Sequence, residues 1–390
     1  MKTIIQKFGG TSVATKEGRE LCAEAVKARK EEGYQVVVVV SAIGRSGAPY
    51  STDTLKELAT NTFSTISEVD SDLLLSCGEL ISAVLMVQTL KKIGINAEAL
   101  TGFQAGIKTN ENCGNADILQ IDTSNIIKIL NSGVIPVVAG FQGISSSGKI
   151  TTLGRGGSDT TACALGVALG AKFIEIFTDV SGIMSADPNI IPESRLLDKV
   201  SYTEAFQMAN QGAKVIHPEA AELSRNADIP LIIRTAFQQT AGTKVYNFTP
   251  KNAITAVTSK TNITFVKISG NENFEVFSII AKHNISADFI DIRPVEITFI
   301  ISETAKPKAE EVLKKFDCTF HDDFVKISVI GAGMTGKPGV MAKIVECLSG
   351  IEIFQSTDSH TTISCLIKKE DEVKALQALH NGFDLGDYTP

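Results

Sequence analysis

The stretch TIIQKFGGTS, residues 3–12, decides the fold class. A β-branched, apolar run ends on Lys7 and Phe8, enters Gly9, Gly10, Thr11 and Ser12, and gives way to helix-forming sequence. Two glycines let backbone N–H groups approach a phosphate closely, and a helix N-terminus adds partial positive charge. The Lys7 ammonium reaches the same place. A glycine pair after a strand is most often a plain turn, and the stretch does not match the GxxxxGKS phosphate loop. Outward from it, short β-branched runs alternate with helical stretches as far as residue 245, the pattern of a mainly parallel sheet with helices on both faces. Strands are expected at 3–8, 36–40, 135–139, 173–177 and 231–234. The run VVVVV at 36–40 requires burial on both faces. Helices are expected at 18–33 and 159–170, the second closing on a glycine suited to a C-terminal cap.

At 390 residues the chain exceeds what one hydrophobic core supports, so two or three domains are expected. Apolar residues at 43% and charged residues at 21% exclude a disordered chain. Lys and Arg number 37 against 44 Asp and Glu, a net charge of -7, which excludes a basic nucleic-acid binder and leaves any phosphate to a local site. The seven cysteines are odd in number and scattered, with no CxxC pair, so no disulfide framework or metal clip is expected. Met1 leads into a strand without an apolar signal region, and no uninterrupted apolar run approaches the roughly 18 residues of a membrane span. A cytoplasmic chain with no membrane or nucleic-acid partner is the expectation.

Beyond residue 245 the turn-forming TPKN and SKTN precede two similar units, 263–320 and 324–387. Each opens on FVKIS and reads as β-α-β-β-α-β, with strands at 265–269, 285–292 and 297–301 in the first and 324–330, 351–356 and 362–367 in the second. Helices at 306–316 and 370–381 complete them. An internal duplication of a small ligand-binding module follows.

Four further segments carry candidate chemistry. LGRGGSDTT from Leu153 sets Arg155, Gly156, Gly157, Ser158 and Asp159 before a helix. Ser158 or Asp159 serves equally as a helix N-cap, but a guanidinium between glycines makes a good carboxylate or phosphate clamp. LLLSCGEL from Leu73 places Glu79 at an expected helix start, where a carboxylate is favourable without any function; amid apolar sequence it otherwise wants a cation such as a substrate ammonium. The strand FIEIF ends in Thr178 and Asp179, at the carboxyl edge where open α/β sheets bind ligands. GAKVIHP puts Lys214 near a helix junction, and His217 before Pro218 is given no catalytic role.

Together KFGGTSV from Lys7, SAIGRSGAPYSTDTL from Ser41, LLLSCGEL from Leu73, GRGGSDT from Gly154, FTDVSGIMSADP from Phe177 and GAKVIHP from Gly212 resemble, in order and over essentially the whole chain, the monofunctional aspartokinases. The resemblance implies the amino acid kinase fold, an α/β open sandwich on a mainly parallel sheet, plus C-terminal α+β ferredoxin-like ACT repeats. Its boundaries are a catalytic domain at 1–245, a linker at 246–262 and ACT modules at 263–322 and 323–390. It also implies phosphoryl transfer from ATP, with Mg²⁺, to the side-chain carboxylate of L-aspartate, opening the route to lysine, diaminopimelate, threonine and methionine. Lys7, Asp159 and Lys214 would be catalytic. Lys7, Phe8, Gly9, Gly10, Thr178, Asp179, Met184 and Lys214 would hold ATP, and Ser41, Thr52, Glu79, Arg155, Gly156 and Ser158 would hold aspartate.

The GRSGAPYSTDTL segment, Met184 and QSTDSHTTI from Gln355 look most like the diaminopimelate-sensitive class. The ACT pair implies a homodimer or larger assembly and feedback by diaminopimelate, lysine or threonine. Its candidate effector residues are Asp288, Asp291, Gly333 and Gly339, the two acids reading equally as solvated strand ends. Met184 stands where many members have Tyr, Asn189 where Arg is common, and Glu219 where a basic residue is common. Acetylglutamate kinase, glutamate 5-kinase and uridylate kinase are the nearest alternatives, which KFGG, SCGEL and the tandem modules disfavour. A silent regulatory subunit would have lost Lys7, Glu79, Arg155 or Asp159. GAGMTG at 331–336 falls inside the second repeat, so a fused homoserine dehydrogenase is set aside.

Overall fold

The valine run lies at the middle of a sheet, as its apolar continuity requires. In the computed structural model residues 2–63, 65–213, 216–238, 240–250, 252–270, 274–334 and 336–386 are described. The chain forms two units, one of Met1–Ile183, Leu196–Ala209 and Lys214–Thr249, the other of Met184–Arg195, Asn210–Ala213 and Pro250–Pro390.

The first unit begins β1 (Thr3–Phe8), α1 (Lys16–Glu31), β2 (Gln35–Val40), α2 (Thr52–Thr62), α3 (Glu68–Lys92), β3 (Ala97–Leu100), β4 (Ile107–Thr109), β5 (Ile118–Ile121) and α4 (Ser124–Asn131). It continues with β6 (Ile135–Ala139), β7 (Gln142–Ser145), β8 (Ile150–Thr152), α5 (Gly157–Ala168), β9 (Ile174–Thr178), β10 (Lys199–Ser201), α6 (Tyr202–Asn210), α7 (Pro218–Asn226), β11 (Leu231–Thr235) and β12 (Thr243–Tyr246). Among the described residues the main sheet has the order β10-β12-β11-β9-β1-β2-β6-β3, parallel except between β11 and β12. Alternate residues of β1 and β2, Ile4, Phe8, Val36, Val38 and Val40, pack with α1 and α3 residues Cys22, Val26, Met86 and Leu90. On the opposite face α5 closes onto Ile5 and Ile174 at Gly166.

A small sheet, β5-β4-β7-β8, was not visible in the sequence. It is tied to α3 through the buried Asp72, which accepts from the Gly114 and Thr152 amides at 2.8–3.0 Å and from the Thr152 hydroxyl at 2.7 Å. By length and composition α3 could cross a membrane, but half of that stretch is buried, and its buried residues include Asp72 and Glu79.

The second unit contains β13 (Ala256–Lys260), β14 (Ile263–Ser269), α8 (Phe274–Lys282), β15 (Asp288–Arg293), β16 (Glu296–Ser302), α9 (Lys306–Leu313) and β17 (Asp317–His321). Then come β18 (Phe324–Ile330), α10 (Val340–Cys347), β19 (Gln355–Asp358), β20 (Thr362–Lys368) and α11 (Glu372–Gly382). The first module is the expected β-α-β-β-α-β, with sheet order β15-β16-β14-β17. The second differs from expectation. Its sheet is β13-β18-β20-β19, so its fourth strand comes from 256–260, inside the expected linker, and module one is inserted into module two. AVTSK is short and half polar, and only its antiparallel register with β18 makes it a strand. Ile263, Phe265, Phe289, Ile300, Phe324 and Leu366 form an apolar cluster drawn from both modules.

Candidate active site

β1 delivers Lys7 to the carboxyl edge of the sheet, where its ammonium meets Asp159 of the first turn of α5 at 2.6 Å. The side chain of Phe8 is buried and stacks on Phe177 at 4.7 Å, so only its backbone faces a ligand. Gly9 donates to the Phe177 carbonyl at 3.0 Å, while among the described residues the amides of Gly10 and Thr11 have no partner. A Cβ on Gly10 would lie 2.5 Å from the Gly44 carbonyl oxygen, so only glycine lets the two loops touch. The helix expected at 18–33 runs Lys16–Glu31, its first turn capped by the Thr15 hydroxyl 3.0 Å from the Gly18 amide. The N-terminus that serves Lys7 is instead that of α5.

The loop after β2 begins with the half-buried Ser41, whose amide donates to the Phe8 carbonyl. Ala42 then donates to Glu79 Oε1 at 2.9 Å. Glu79 is not at a helix start: α3 runs from Glu68, and the Leu73–Leu75 run is helical. Gly78 makes room in mid-helix, since a Cβ there would lie 2.9 Å from both the Ala42 methyl and the Tyr50 carbonyl. Glu79 is only 2% exposed and its Oε2 has no partner. Burial pushes its carboxyl up to about 8, against hydrogen bonds that hold it down. Such a group is set to accept a cation.

Thr52 is the first residue of α2, behind the Ser51 cap. Arg155 is exposed between Gly154 and Gly156, and among the described residues its guanidinium has no acid or hydrogen-bond acceptor. The His217 ring packs over Gly156, and Ser158 is buried against Gly140. Thr178 donates to Asp179 Oδ1 at 3.0 Å, and the other Asp179 oxygen pairs at 2.6 Å with Arg45, a residue of GRSG to which no local pattern assigns a role. Met184 and Asn189 fall in the segment grouped with the second unit, where Asn189 bonds Asp187 at 2.9 Å. Glu219 accepts from the Thr160 hydroxyl at 3.2 Å. Lys214 lies outside the described residues.

In the second unit Asp288 and Asp291, read from the sequence either as ammonium ligands or as solvated strand ends, each pair with a cation of the chain. Asp288 pairs with the buried Lys326 at 2.6 Å, and Asp291 with Arg293 at 2.9 Å. Gly333 packs on the Asn252 carbonyl, whereas Gly339 lies in the wall of an open hollow of about 630 Å³ with Lys337, Asp358 and His360.

Comparison with known proteins identifies the family. The amino acid kinase family profile matches residues 2–235, and an ACT domain profile matches residues 319–381. Aspartokinase 1 of Bacillus subtilis is 43% identical, with 99% of this chain and 100% of that protein aligned. The structure of E. coli aspartokinase III with aspartate and ADP, in its R-state, superposes with a TM-score of 0.84 at 25% identity, over 98% of this chain and 100% of that one. The same enzyme with lysine and aspartate, in its T-state, gives 0.75 at 25% identity over the same shares. The chain belongs to the amino acid kinase family and, within it, to the aspartokinases: it is an aspartate kinase with C-terminal ACT modules.

Proposed function

We propose a division of labour among these residues for the transfer of the ATP γ-phosphoryl group to L-aspartate, which yields ADP and 4-phospho-L-aspartate. A side-chain oxygen of aspartate bonds to phosphorus as the bridging bond to ADP breaks, and ADP keeps the electron pair. The nucleophile is already ionised at neutral pH, so alignment and charge neutralisation carry the catalysis. Lys7 and the Gly10 and Thr11 amides receive the phosphates, and Asp159 fixes the Lys7 ammonium. Thr178, Asp179 and Lys214 serve the nucleotide side. Glu79 takes the substrate ammonium and Arg155 forks its α-carboxylate, with Ser41, Thr52, Gly156 and Ser158 around it.

One observation carries this reading: a carboxyl 2% exposed, with one oxygen bonded to Ala42 and the other unpartnered. Among the described residues no cluster of three acids, histidines or cysteines could hold a metal, so Mg²⁺ would arrive on the nucleotide phosphates and supply further positive charge there.

The ACT modules then serve feedback. An amino-acid effector fits the hollow at Gly339, where Lys337 suits a carboxylate and Asp358 an ammonium. E. coli aspartokinase III binds lysine, which supports an amino-acid end product, diaminopimelate, lysine or threonine. β15 is an edge strand carrying the exposed Ile290 and Ile292, the surface by which a second copy would pair. All seven cysteines are free thiols, in keeping with the cytoplasm. The test is ADP release from Mg-ATP with L-aspartate against succinate, run with each effector alone and in pairs. Equal turnover of succinate would remove Glu79 from substrate recognition. Indifference to every effector would remove the regulatory role.

A further inference from the structure

We propose that Arg45 is a further phosphate ligand of this reaction, exchanging Asp179 for the terminal phosphate of the nucleotide. The inference rests on the assignment of the Lys7–Gly10 turn to the phosphates.

Topology supplies the first argument. In the sheet β1 lies between β9 and β2. Arg45 belongs to the loop that leaves β2, and Asp179 directly follows β9. A 2.6 Å contact between them therefore carries the arginine side chain across the end of β1, where Lys7, Gly9 and Gly10 sit. The backbone is anchored at the same place: Gly44 donates to the Gly10 carbonyl at 2.9 Å, and Ala48 donates to the Arg45 carbonyl at 2.8 Å. The loop is held, and the side chain is the part free to turn.

Charge supplies the second. The charge of Lys7 is partly offset by Asp159 at 2.6 Å, so Lys7 alone leaves much of the phosphate charge unmet. The Arg45 side chain is 71% exposed and that of Asp179 40%, and an exposed ion pair holds weakly. A phosphate offers the guanidinium two parallel charge-assisted hydrogen bonds, a stronger arrangement than the single contact to Asp179. The transferring phosphoryl group and the ADP oxygen that leaves it are where negative charge must be met. The exchange needs only side-chain rotation about an anchored backbone.

The competing reading is that the pair merely ties two loops together. Isothermal titration of the full chain with Mg-ADP and with a non-hydrolysable ATP analogue separates the two, in wild type, Arg45→Ala, Arg45→Lys and Lys7→Ala. A ligand of the terminal phosphate should weaken analogue binding about tenfold or more in Arg45→Ala, weaken ADP by less than about threefold, and lower kcat by roughly 10- to 100-fold with aspartate KM nearly unchanged. Arg45→Lys should recover part of the loss. Equal weakening of ADP and analogue, no weakening of either, or a change confined to aspartate KM would overturn the proposal. If Lys7→Ala also left both nucleotides unaffected, the phosphate assignment of the glycine turn would fall with it.

Discussion

Raising the pH should destabilise the N-terminal unit and tighten aspartate binding at the same time, both through Glu79. Burial, opposed by backbone hydrogen bonds, sets its carboxyl at about 8 against an ordinary 4.5. The folded value lies above the unfolded one, so the stability it contributes is complete below 4.5 and is lost as pH rises through 8. A gap of about 3.5 at ~1.36 kcal/mol each gives a ceiling of about 5 kcal/mol, which water penetration around the ionised group reduces to roughly 2–4 kcal/mol. Glu79→Gln keeps the acceptor for the Ala42 amide and the shape, but cannot ionise. At about pH 9 the variant should be more stable than wild type by that amount, and at about pH 5 nearly equal to it. Aspartate has the opposite preference. Its ammonium requires the ionised carboxylate, so binding near pH 7 should release close to one proton, and Kd should fall about tenfold per pH unit from roughly pH 6 until it levels near 8. Urea midpoints across pH report the first effect, and titration calorimetry in two buffers of different ionisation enthalpy counts the proton. A Kd flat with pH and no buffer dependence would refute the assignment of Glu79 to the ammonium, whatever the stability curves show.

Lys7→Ala removes a cation aimed at the transferred phosphate and should lower kcat by about 10²- to 10³-fold, with a smaller effect on aspartate affinity; near wild-type turnover would take Lys7 out of the mechanism. Arg155→Lys keeps the charge but loses the planar fork, so steady-state kinetics should show a raised aspartate KM and little change for ATP, and the reverse pattern would exchange the two assignments. Asp288→Ala strands the buried Lys326 ammonium and should cost the C-terminal unit about 1–3 kcal/mol, less than a fully buried pair because Asp288 is half exposed. Adding Lys326→Met should restore most of that in urea melts. No recovery would mean that the pair is not what Asp288 supports.

Local chemistry by itself determined a good part of this protein. The TIIQKFGG strand and turn, the doubly buried valines and the glycine after α5 each follow from periodicity or backbone conformation, and the observed β1, β2 and α5 agree with them. The repeated FVKIS units gave the first ACT module its full order of elements. The pattern was insufficient where a short segment has no period to read. Leu73–Leu75 is compatible with strand or helix, and only its packing within α3 puts Glu79 in mid-helix. AVTSK carries no signal of its own, yet pairing with β18 makes it the fourth strand of the second module.

Tertiary structure alone decided which charges meet. Lys7 and Asp159, Arg45 and Asp179, and Asp288 and Lys326 are each far apart in the chain, and no local propensity encodes such a pairing. The unpartnered oxygen of Glu79 is of the same kind: its residue type is written in SCGEL, but its burial beneath the loop after β2 and its raised proton affinity arise only when α3 and that loop close on each other.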